Sequence, residues 1–177
     1  MNGRAVRALL GALLCAVLVA GCQSGPKLAT VERVDLERFM GDWYVIASIP
    51  IGAEKQSYNG VESYRMNPDG SIATTYTFRD GGFDGEAKRY TPVGFVRNAT
   101  TNAEWGMRLF GPFKLEYLIT YLAPDYSTTI ISRSARDYAW IMARTPTVSE
   151  ADYAALTAAL AAQGYDLSKL RRVPQRW

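Results

Sequence analysis

The feature that most constrains this chain is a run of short β-prone stretches, separated by turn residues, from Val31 to Arg144. Residues that favour tight turns interrupt the run at Asn67-Pro68-Asp69-Gly70, Asp80-Gly81-Gly82, Gly111-Pro112 and Ala123-Pro124-Asp125. The stretches between them predict eight strands: Trp43–Ser48, Tyr58–Met66, Ser71–Arg79, Lys88–Arg97, Glu104–Phe110, Leu115–Leu122, Ser127–Ser132 and Tyr138–Arg144.

Nearly all connections between these strands are of hairpin length, which favours an up-and-down order. Eight antiparallel strands suffice to close a barrel whose interior holds side chains or one small ligand. Closure also removes the exposed edges of an open sheet. A two-sheet sandwich is the competing architecture, but it usually has long crossing connections. We therefore predict an all-β fold, an eight-stranded antiparallel up-and-down β-barrel.

A helical pattern follows the last long strand. Ser149 is placed to cap the helix, acidic residues follow in the first turn, and Gly164 ends it. The apolar positions form one narrow stripe, which consists of Tyr153, Leu156 and Leu160. So narrow a stripe predicts one C-terminal α-helix packed on the outside of the barrel. Leu170 to Val173 is predicted to add a short strand, which Pro174 limits to an edge.

The N-terminal segment has the pattern of a secretion signal. Arg4 and Arg7 precede a 13-residue apolar run from Ala8 to Ala20, which is too short to span about 30 Å of hydrocarbon comfortably. A short buried helix is the alternative, and the position at the extreme N-terminus argues against it. We predict that residues 1–21 form a cleaved signal peptide, residues 22–30 a polar tether, and residues 31–177 the folded domain.

Leu18-Val19-Ala20-Gly21-Cys22 resembles the lipobox of bacterial lipoproteins, in which the cysteine sulfur receives a diacylglycerol and the new amine is acylated. The resemblance implies lipidation of Cys22, and several acyl chains on one residue give stable anchoring. Since Cys15 leaves with the signal, the mature domain would hold neither a free cysteine nor a disulfide. Gln23, rather than Asp, follows the cysteine, which implies lipid anchoring at the periplasmic face of the outer membrane of a Gram-negative bacterium.

The charge balance gives no basis for nucleic-acid binding. The chain has 20 Lys and Arg against 17 Asp and Glu; removing Arg4 and Arg7 leaves 18 against 17, a net charge of +1. A nucleic-acid surface needs a clustered basic face, and the remaining basic residues form no run beyond Arg171-Arg172.

Three motifs resemble those of the lipocalin family. Gly41-Asp42-Trp43-Tyr44 matches Gly-x-Trp followed by an aromatic residue, and Trp140 to Pro146 matches the motif of the last long strand. Phe110-Gly111-Pro112-Phe113 is typical of the bacterial lipocalin lipoproteins and of their relative apolipoprotein D. Pro124-Asp125-Tyr126 departs from the Thr-Asp-Tyr that lipocalins often carry, which concerns the local turn only. With the lipobox, these motifs identify the chain as a member of the family, a bacterial outer-membrane lipocalin lipoprotein.

The resemblance assigns a structural role to Gly41, Trp43 and Arg144. In lipocalins the arginine lies across the tryptophan and closes the floor of the barrel. A guanidinium on an indole face gains about 0.5–2 kcal/mol from cation–π attraction, while its donors reach backbone carbonyls.

Side chains alternate inward and outward along a barrel strand, so parity predicts which residues line the interior. In the strand that begins at residue 104, the charged side chains of Glu104 and Arg108 indicate the solvent-exposed face. Alternation together with the family's parity predicts these ligand-binding residues: Val45, Ala47, Tyr64, Thr74, Tyr76, Phe78, Trp105, Met107, Tyr117, Ile119, Tyr138, Trp140 and Met142, with Leu109 and Tyr121 on the same inward parity. Glu62 shares the parity of Tyr64 and lies either inside as a polar handle or at a solvated rim.

The alternative to a ligand cavity is an interior filled by these side chains alone. Several tyrosine hydroxyls would then need partners inside a dry core. A cavity with apolar walls and several hydroxyls instead suits an amphipathic guest, whose tail lies below and whose head lies near the mouth.

The sequence offers no catalytic residue, no metal site and no cofactor site. It contains no histidine, and it lacks the Gly-x-Ser-x-Gly turn, the metal-ligand spacings and the phosphate-binding loops of common enzymes. We therefore predict a binding protein rather than an enzyme, with a lipocalin-type isomerase or hydrolase as an alternative.

The resemblance implies a carrier of fatty acids, lysophospholipids or similar apolar small molecules, acting in lipid storage, transport or envelope maintenance. The alternative from another class is a scaffold lipoprotein, with a filled barrel and a partner-binding outer surface. A homodimer formed through the barrel mouth is a further implication of the family.

Overall fold

The computed structural model describes residues 26–177. The predicted signal segment, Cys22 and the start of the tether lie outside the described residues. Ten antiparallel strands form one sheet: β1 (Gly41–Ile49), β2 (Ser57–Met66), β3 (Ile72–Asp80), β4 (Glu86–Tyr90), β5 (Val93–Val96), β6 (Glu104–Arg108), β7 (Leu115–Leu122), β8 (Thr128–Ser132), β9 (Ala139–Ala143) and β10 (Arg171–Arg172). Two helices accompany it, α1 (Leu36–Phe39) and α2 (Glu150–Ala162), with 3₁₀ turns at Gly52–Gln56 and Leu167–Lys169.

The sheet closes into the predicted eight-stranded barrel. Strands β1, β2 and β3 pair in chain order, as do β5 to β9, and β1 pairs with β9 through Tyr44 and Ala143. β4 and β5 both pair with β3 and occupy the place of one predicted strand. Pro92 separates them because it has no N–H to donate to the ladder. The fold class predicted from the strand pattern is confirmed.

The helix α2 lies against the outer wall of the barrel, as its narrow apolar stripe predicts. The hydroxyl of Ser149 caps it by accepting a hydrogen bond from the backbone N–H of Asp152 at 3.0 Å, and Gly164 ends it with a φ of +85°. Leu156 and Leu160 are its buried residues. Within residues 26–177, neither helix has the length and apolar character needed to cross a bilayer.

The strands separate two apolar layers. An inner layer fills the barrel and includes Trp43, Trp105 and Met142. An outer layer lies between the barrel and α2, and Ile141 of β9 contributes to it together with Leu160 of the helix. Alternate residues of one strand therefore supply both layers.

Bulges interrupt this alternation in three strands, and the one in β2 lies between Tyr58 and Val61. The register of β1 shifts between Val45 and Ala47, and that of β7 shifts between Ile119 and Tyr121. A bulge adds one residue to its strand, which inverts side-chain parity beyond it. Ala47 therefore belongs to the outer layer, and its predicted inward placement as a ligand-binding residue is wrong. The inward placement of Tyr121 is wrong for the same reason, since its ring lies beside Leu156 of α2.

The C-terminal segment, residues 171–176, fills a gap between β1 and β2. β2 pairs only with the first residues of β1, and β10 pairs with Ala47 and Ser48 beyond them. The side-chain amide of Gln175 donates to the carbonyls of Val45 and Gly60, at 2.8 and 3.1 Å, and so joins the two strands. Residues 26–177 hold both apolar layers and a closed ring of strand pairs, so this part has a hydrophobic core of its own, which is the property that allows a domain to fold alone.

Candidate functional site

The floor of the barrel is closed by the stack of Arg144 on Trp43. The guanidinium carbon lies 3.8 Å from the centre of the indole ring. Its nitrogens donate to four backbone carbonyls between residues 38 and 42, at 2.7 to 3.1 Å. Partial burial lowers the pKa of Arg144 below its usual value. Gly41 has a φ of +91° beside this guanidinium, so the three residues predicted to form the floor lie together there.

Aromatic rings fill the interior directly above the floor. Phe39 contacts Trp43 and Trp105, with ring centres 5.0 and 5.5 Å apart. The ring of Tyr117 stacks on Trp105 at 5.3 Å, and its hydroxyl hydrogen-bonds that of Tyr64. Each of the two hydroxyls therefore has a hydrogen-bond partner inside the core. The lower part of the barrel is therefore packed with the chain's own side chains, which the sequence left as an alternative for the whole interior.

A cavity, here called the inner chamber, lies above these rings. Its volume is about 90 Å³. Five of the predicted ligand-binding residues lie on its wall: Tyr76, Met107, Tyr117, Tyr138 and Trp140. The other inward predictions are buried in the inner layer without lining the chamber: Val45, Tyr64, Thr74, Phe78, Trp105, Ile119 and Met142.

A wider space, here called the vestibule, connects the chamber to the barrel mouth. It has a volume of about 520 Å³. It shares five wall residues with the chamber: Ile51, Glu54, Tyr90, Pro92 and Leu109. Leu109 lies just beyond the end of β6 and is 47% exposed, so it forms part of the rim rather than of the interior. Phe110 continues this rim at 81% exposed, and Phe113, three residues further along the connection between β6 and β7, is 77% exposed, so this connection presents apolar rings to solvent.

Glu62 lies inside the barrel. It is 1% exposed, lies on the chamber wall, and its Oε2 atom has no hydrogen-bond partner among the described residues. It stands opposite Trp43 in the pairing of β1 with β2, which places it in the deeper part of the chamber. Burial, and secondarily the neighbouring Glu54, raise the pKa of Glu62 well above its ordinary value. The polar-handle interpretation of Glu62 is therefore the one that the geometry supports.

Glu54 is a second acid on the chamber wall, and strand parity did not predict it. It lies on the 3₁₀ turn Gly52–Gln56 near the mouth, where parity does not apply. The hydroxyl of Tyr138 donates to its Oε2 atom at 3.4 Å, and burial raises the pKa of Glu54 to about 7. A charged residue directly after a strand at the mouth was the only sequence signal available for it.

Trp140 and Arg133 carry two further polar atoms of the chamber wall that have no hydrogen-bond partner among the described residues, the indole N–H and the Nε atom. The side chain of Trp140 is 5% exposed, and its indole lies toward Glu54, where it partly offsets the effect of burial on the pKa of that acid. The rings of Tyr76 and Tyr138 lie beside the indole, with centres 4.8 and 5.4 Å away. Buried polar groups are usually paired, so an unpaired acid oxygen and an unpaired indole donor on one wall indicate a site for a guest with a polar group. Among residues 26–177, no group of three His, Cys, Asp or Glu is placed to hold a metal ion.

Comparison with known proteins identifies the fold and its relatives. Residues 34–175 match the family model described as a lipocalin-like domain. The chain belongs to the lipocalin family. Temperature-induced lipocalin-1 of Arabidopsis thaliana is 32% identical to it, over 84% of this chain and 83% of the relative. Outer membrane lipoprotein Blc of Escherichia coli K12 is 31% identical, over 94% of this chain and 96% of the relative.

Solved lipocalin structures share the architecture at lower identity. Insecticyanin from the tobacco hornworm Manduca sexta superimposes with a TM-score of 0.64 and 19% identity, covering 84% of each chain. Lobster apocrustacyanin A1 gives a TM-score of 0.60 and 15% identity, over 80% of this chain and 79% of the other. The family places this lipocalin among proteins that bind small hydrophobic ligands and that generally bind or carry rather than catalyse.

Proposed function

We propose that this lipocalin binds a single-chain lipid or a similar apolar small molecule in the inner chamber and the vestibule. The observation that carries the proposal is the set of three unpaired polar atoms, on Glu62, Trp140 and Arg133, inside an aromatic chamber that opens at one end of the barrel. A ligand with one polar group and one apolar chain would satisfy such atoms and cover the apolar rim.

The dimensions of the two spaces support a ligand that occupies both. The chamber, at about 90 Å³, is smaller than the roughly 300–1,000 Å³ typical of small-molecule pockets. The vestibule, at about 520 Å³, falls within that range. A guest therefore places one end in the chamber and the rest along the apolar wall of the vestibule.

The proposal includes attachment to the outer membrane through acylated Cys22, on the periplasmic face, with residues 1–21 removed and residues 22–30 as tether. The relatives named outer membrane lipoprotein Blc support this location. The carried lipid would serve storage, transport or maintenance of the envelope. The protein would act without catalysis, and self-association through the apolar mouth is part of the same proposal.

The test is a fluorescence titration of residues 23–177, which lack Cys22, with palmitic acid and with a palmitoyl lysophospholipid. We expect saturable quenching with a Kd on the order of micromolar, a free energy of about −8 kcal/mol. Trp140→Phe should remove most of the response. Trp105→Phe, a matched change in the filled lower part of the barrel, should keep it.

Native mass spectrometry of the same domain, after exposure to a membrane extract, identifies what is retained. Emission that stays unchanged at saturating concentrations of several lipid classes, with no bound mass, would favour the scaffold alternative. An interior that is filled in solution would produce that result.

A further inference from the structure

We propose that the ligand enters head first, and that its head is an organic ammonium ion held in the inner chamber by aromatic rings and carboxylates. This inference rests on the proposed function and specifies the ligand class. It also reverses the tail-below orientation that the sequence suggested. The shape of the cavity, the position of its polar groups and the charges that face it each support this orientation and this head group.

The shape of the cavity favours a small head at the inner end. The chamber of about 90 Å³ lies deep, and the vestibule of about 520 Å³ lies outside it. The vestibule wall includes Ile51, Leu109 and Phe110, which suit an apolar chain, and its charged residues are Arg89 and Glu54. A compact polar head therefore fits the inner end, and the chain extends toward the rim.

The depth of Glu62 also favours this orientation. Its carboxyl group is buried on the chamber wall with one oxygen unpaired among the described residues. An apolar tail inserted first would cover that oxygen without pairing it, and an unpaired buried polar group costs about 1–3 kcal/mol. A head with N–H groups would donate to it directly.

The walls of the chamber suit a cation in particular. The ring of Trp140 lies against those of Tyr76 and Tyr138, and all three rings line the chamber. Aromatic faces attract ammonium groups, and rings arranged as a cage are a known way of binding them. Since the interior is shielded from water, this attraction is stronger than at a surface.

The charges that face the chamber are mainly acidic. Its charged wall residues are Glu54, Glu62, Glu116 and Arg133. Glu116 accepts hydrogen bonds from the backbone and hydroxyl of Ser134, and Arg133 pairs with Asp137 at 3.3 Å. The tyrosines on the wall are neutral, because burial raises the pKa of Tyr76, Tyr117 and Tyr138. Glu54 and Glu62 are therefore the acids left to meet a ligand, and in their ionised form they attract an ammonium head. The cation on the wall, Arg133, is already neutralised by Asp137, although its Nε atom has no hydrogen-bond partner among the described residues.

Binding of a cation is then linked to loss of a proton. Burial favours the protonated form of Glu62 in the empty chamber, because it raises the pKa of this carboxyl well above the ordinary value. An ammonium group beside it lowers that pKa and favours the ionised form. Affinity for an amine should therefore rise with pH by up to about tenfold per unit while the carboxyl remains protonated in the free protein. Affinity for a neutral ligand should stay constant.

The experiment compares decylamine, decanol and decanoate, which share one chain length, on residues 23–177 at pH 6 and pH 8. Calorimetric titration gives each Kd. At pH 8 we expect decylamine, still protonated because alkyl amines titrate near pH ~10, to bind at least about tenfold more tightly than the other two. Its affinity should increase at least about tenfold from pH 6 to pH 8.

Two variants remove the acids and a third serves as control. Glu62→Gln should reduce the affinity for decylamine to that for decanol and leave decanol within about twofold of the unchanged protein, because Gln keeps the shape and removes the charge. Glu54→Gln, at the mouth, should lower the preference for the amine about threefold, and it serves if the Glu62→Gln protein fails to fold by circular dichroism. Glu104→Gln, on the outer face where the carboxylate pairs with Lys27, should change none of the three affinities.

The outcomes separate the two proposals. Decanoate binding as tightly as decylamine at pH 8, or an amine preference that survives both chamber variants, overturns the ammonium inference and leaves lipid binding intact. Failure of all three compounds to bind, decanol included, overturns the proposed function itself.

Discussion

Glu62 places a carboxyl group inside the barrel with one oxygen unpaired among the described residues, and Glu54 adds a second acid at the mouth. Burial disfavours the charged form of each group, so both pKa values lie above their ordinary range. Such groups lower stability when they ionise. Their presence in a barrel that could be filled with apolar residues indicates that they serve the contents of the chamber.

The stability of the empty protein should fall as the pH rises. The pKa of Glu54 is 4.5 for the ordinary group and about 7 in the folded protein, so the folded state binds more protons between these values. The stabilising effect of this proton uptake is complete below pH ~4.5 and is lost as the pH rises through ~7. The free energy of unfolding should therefore fall by at most about 3 kcal/mol over this range. Glu62 extends the loss to higher pH. Urea unfolding at pH 5 and pH 8 measures the difference.

The double variant Glu54→Gln/Glu62→Gln should flatten this dependence, because neither amide titrates. Glu32→Gln, at an exposed acid, should keep the full decrease. An unchanged protein that is equally stable at pH 5 and pH 8 would show that neither acid is buried in solution as described.

Parity could predict Glu62 but not its depth, and it could not predict Glu54 at all. The side chain of Glu62 lies on a regular strand, where alternation places it inward. Whether an inward-facing acid reaches water depends on how completely the surrounding aromatic rings fill the barrel. This follows from tertiary packing and not from the position of the acid on its strand. Glu54 lies on a turn after β1, and the direction of a turn follows from contacts across the mouth.

At the scale of elements, the strand pattern predicted the order and the approximate bounds of the barrel strands. It failed where one residue changed the register. The bulge after Val45 moves Ala47 from the interior to the layer under α2, and Pro92 splits one strand into β4 and β5. Bulges depend on the curvature that a closed barrel requires, so they carry little signal in a single sequence.

The position of α2 predicts that its core contacts affect stability and leave ligand binding unchanged. Leu160 is fully buried in the outer layer, on the other side of the barrel wall from the chamber. Leu160→Ala should lower the free energy of unfolding by about 3 kcal/mol and change lipid affinity less than about twofold. Denaturant unfolding and the fluorescence titration measure the two effects.

Leu109→Ala is the matched change at the rim. Because this leucine is 47% exposed, its loss should lower the free energy of unfolding by less than about 1 kcal/mol. It should weaken binding about fivefold, since apolar contact with the ligand chain is lost. A larger effect on affinity from Leu160→Ala than from Leu109→Ala would contradict the assignment of the two layers.

At the scale of the whole molecule, the barrel is divided along its axis. The floor and the lower interior are solid, through the Trp43–Arg144 stack and the aromatic rings above it. Only the upper part is hollow. The family motifs predicted the floor from Gly41, Trp43 and Arg144. Strand parity, in contrast, predicted one ligand cavity along the full length of the barrel interior. The cavity begins where the packed rings end. That position depends on how rings from different strands pack against each other, which strand parity does not predict.

Removal of the C-terminal segment should destabilise the contact between β1 and β2, here called the seam, and leave the other strand pairs unchanged. The segment joins β1 and β2 through Gln175 and through the bond from the N–H of Val173 to the carbonyl of Ile46 at 2.9 Å. A chain that ends at Leu170 should lose amide protection by at least about tenfold in β1 and β2, with β6 and β7 unchanged. Hydrogen exchange read by mass spectrometry resolves these strands.

Gln175→Ala should give a milder loss at the same place, and it replaces the truncation if the shortened chain does not fold. Phe113→Ala is the control, since this residue is 77% exposed and lies between β6 and β7, away from the segment. A loss of protection spread evenly over all strands would argue against a local seam.

The same closing segment sets the order of events during biosynthesis. The seam joins Gln175 to Val45 over 130 positions, and the floor joins Arg144 to Asp42 over 102 positions. Contacts of such separation form late and slowly. A ribosome that has not yet polymerised Gln175 therefore holds a polypeptide that cannot complete its barrel, although most of the strands have already been made.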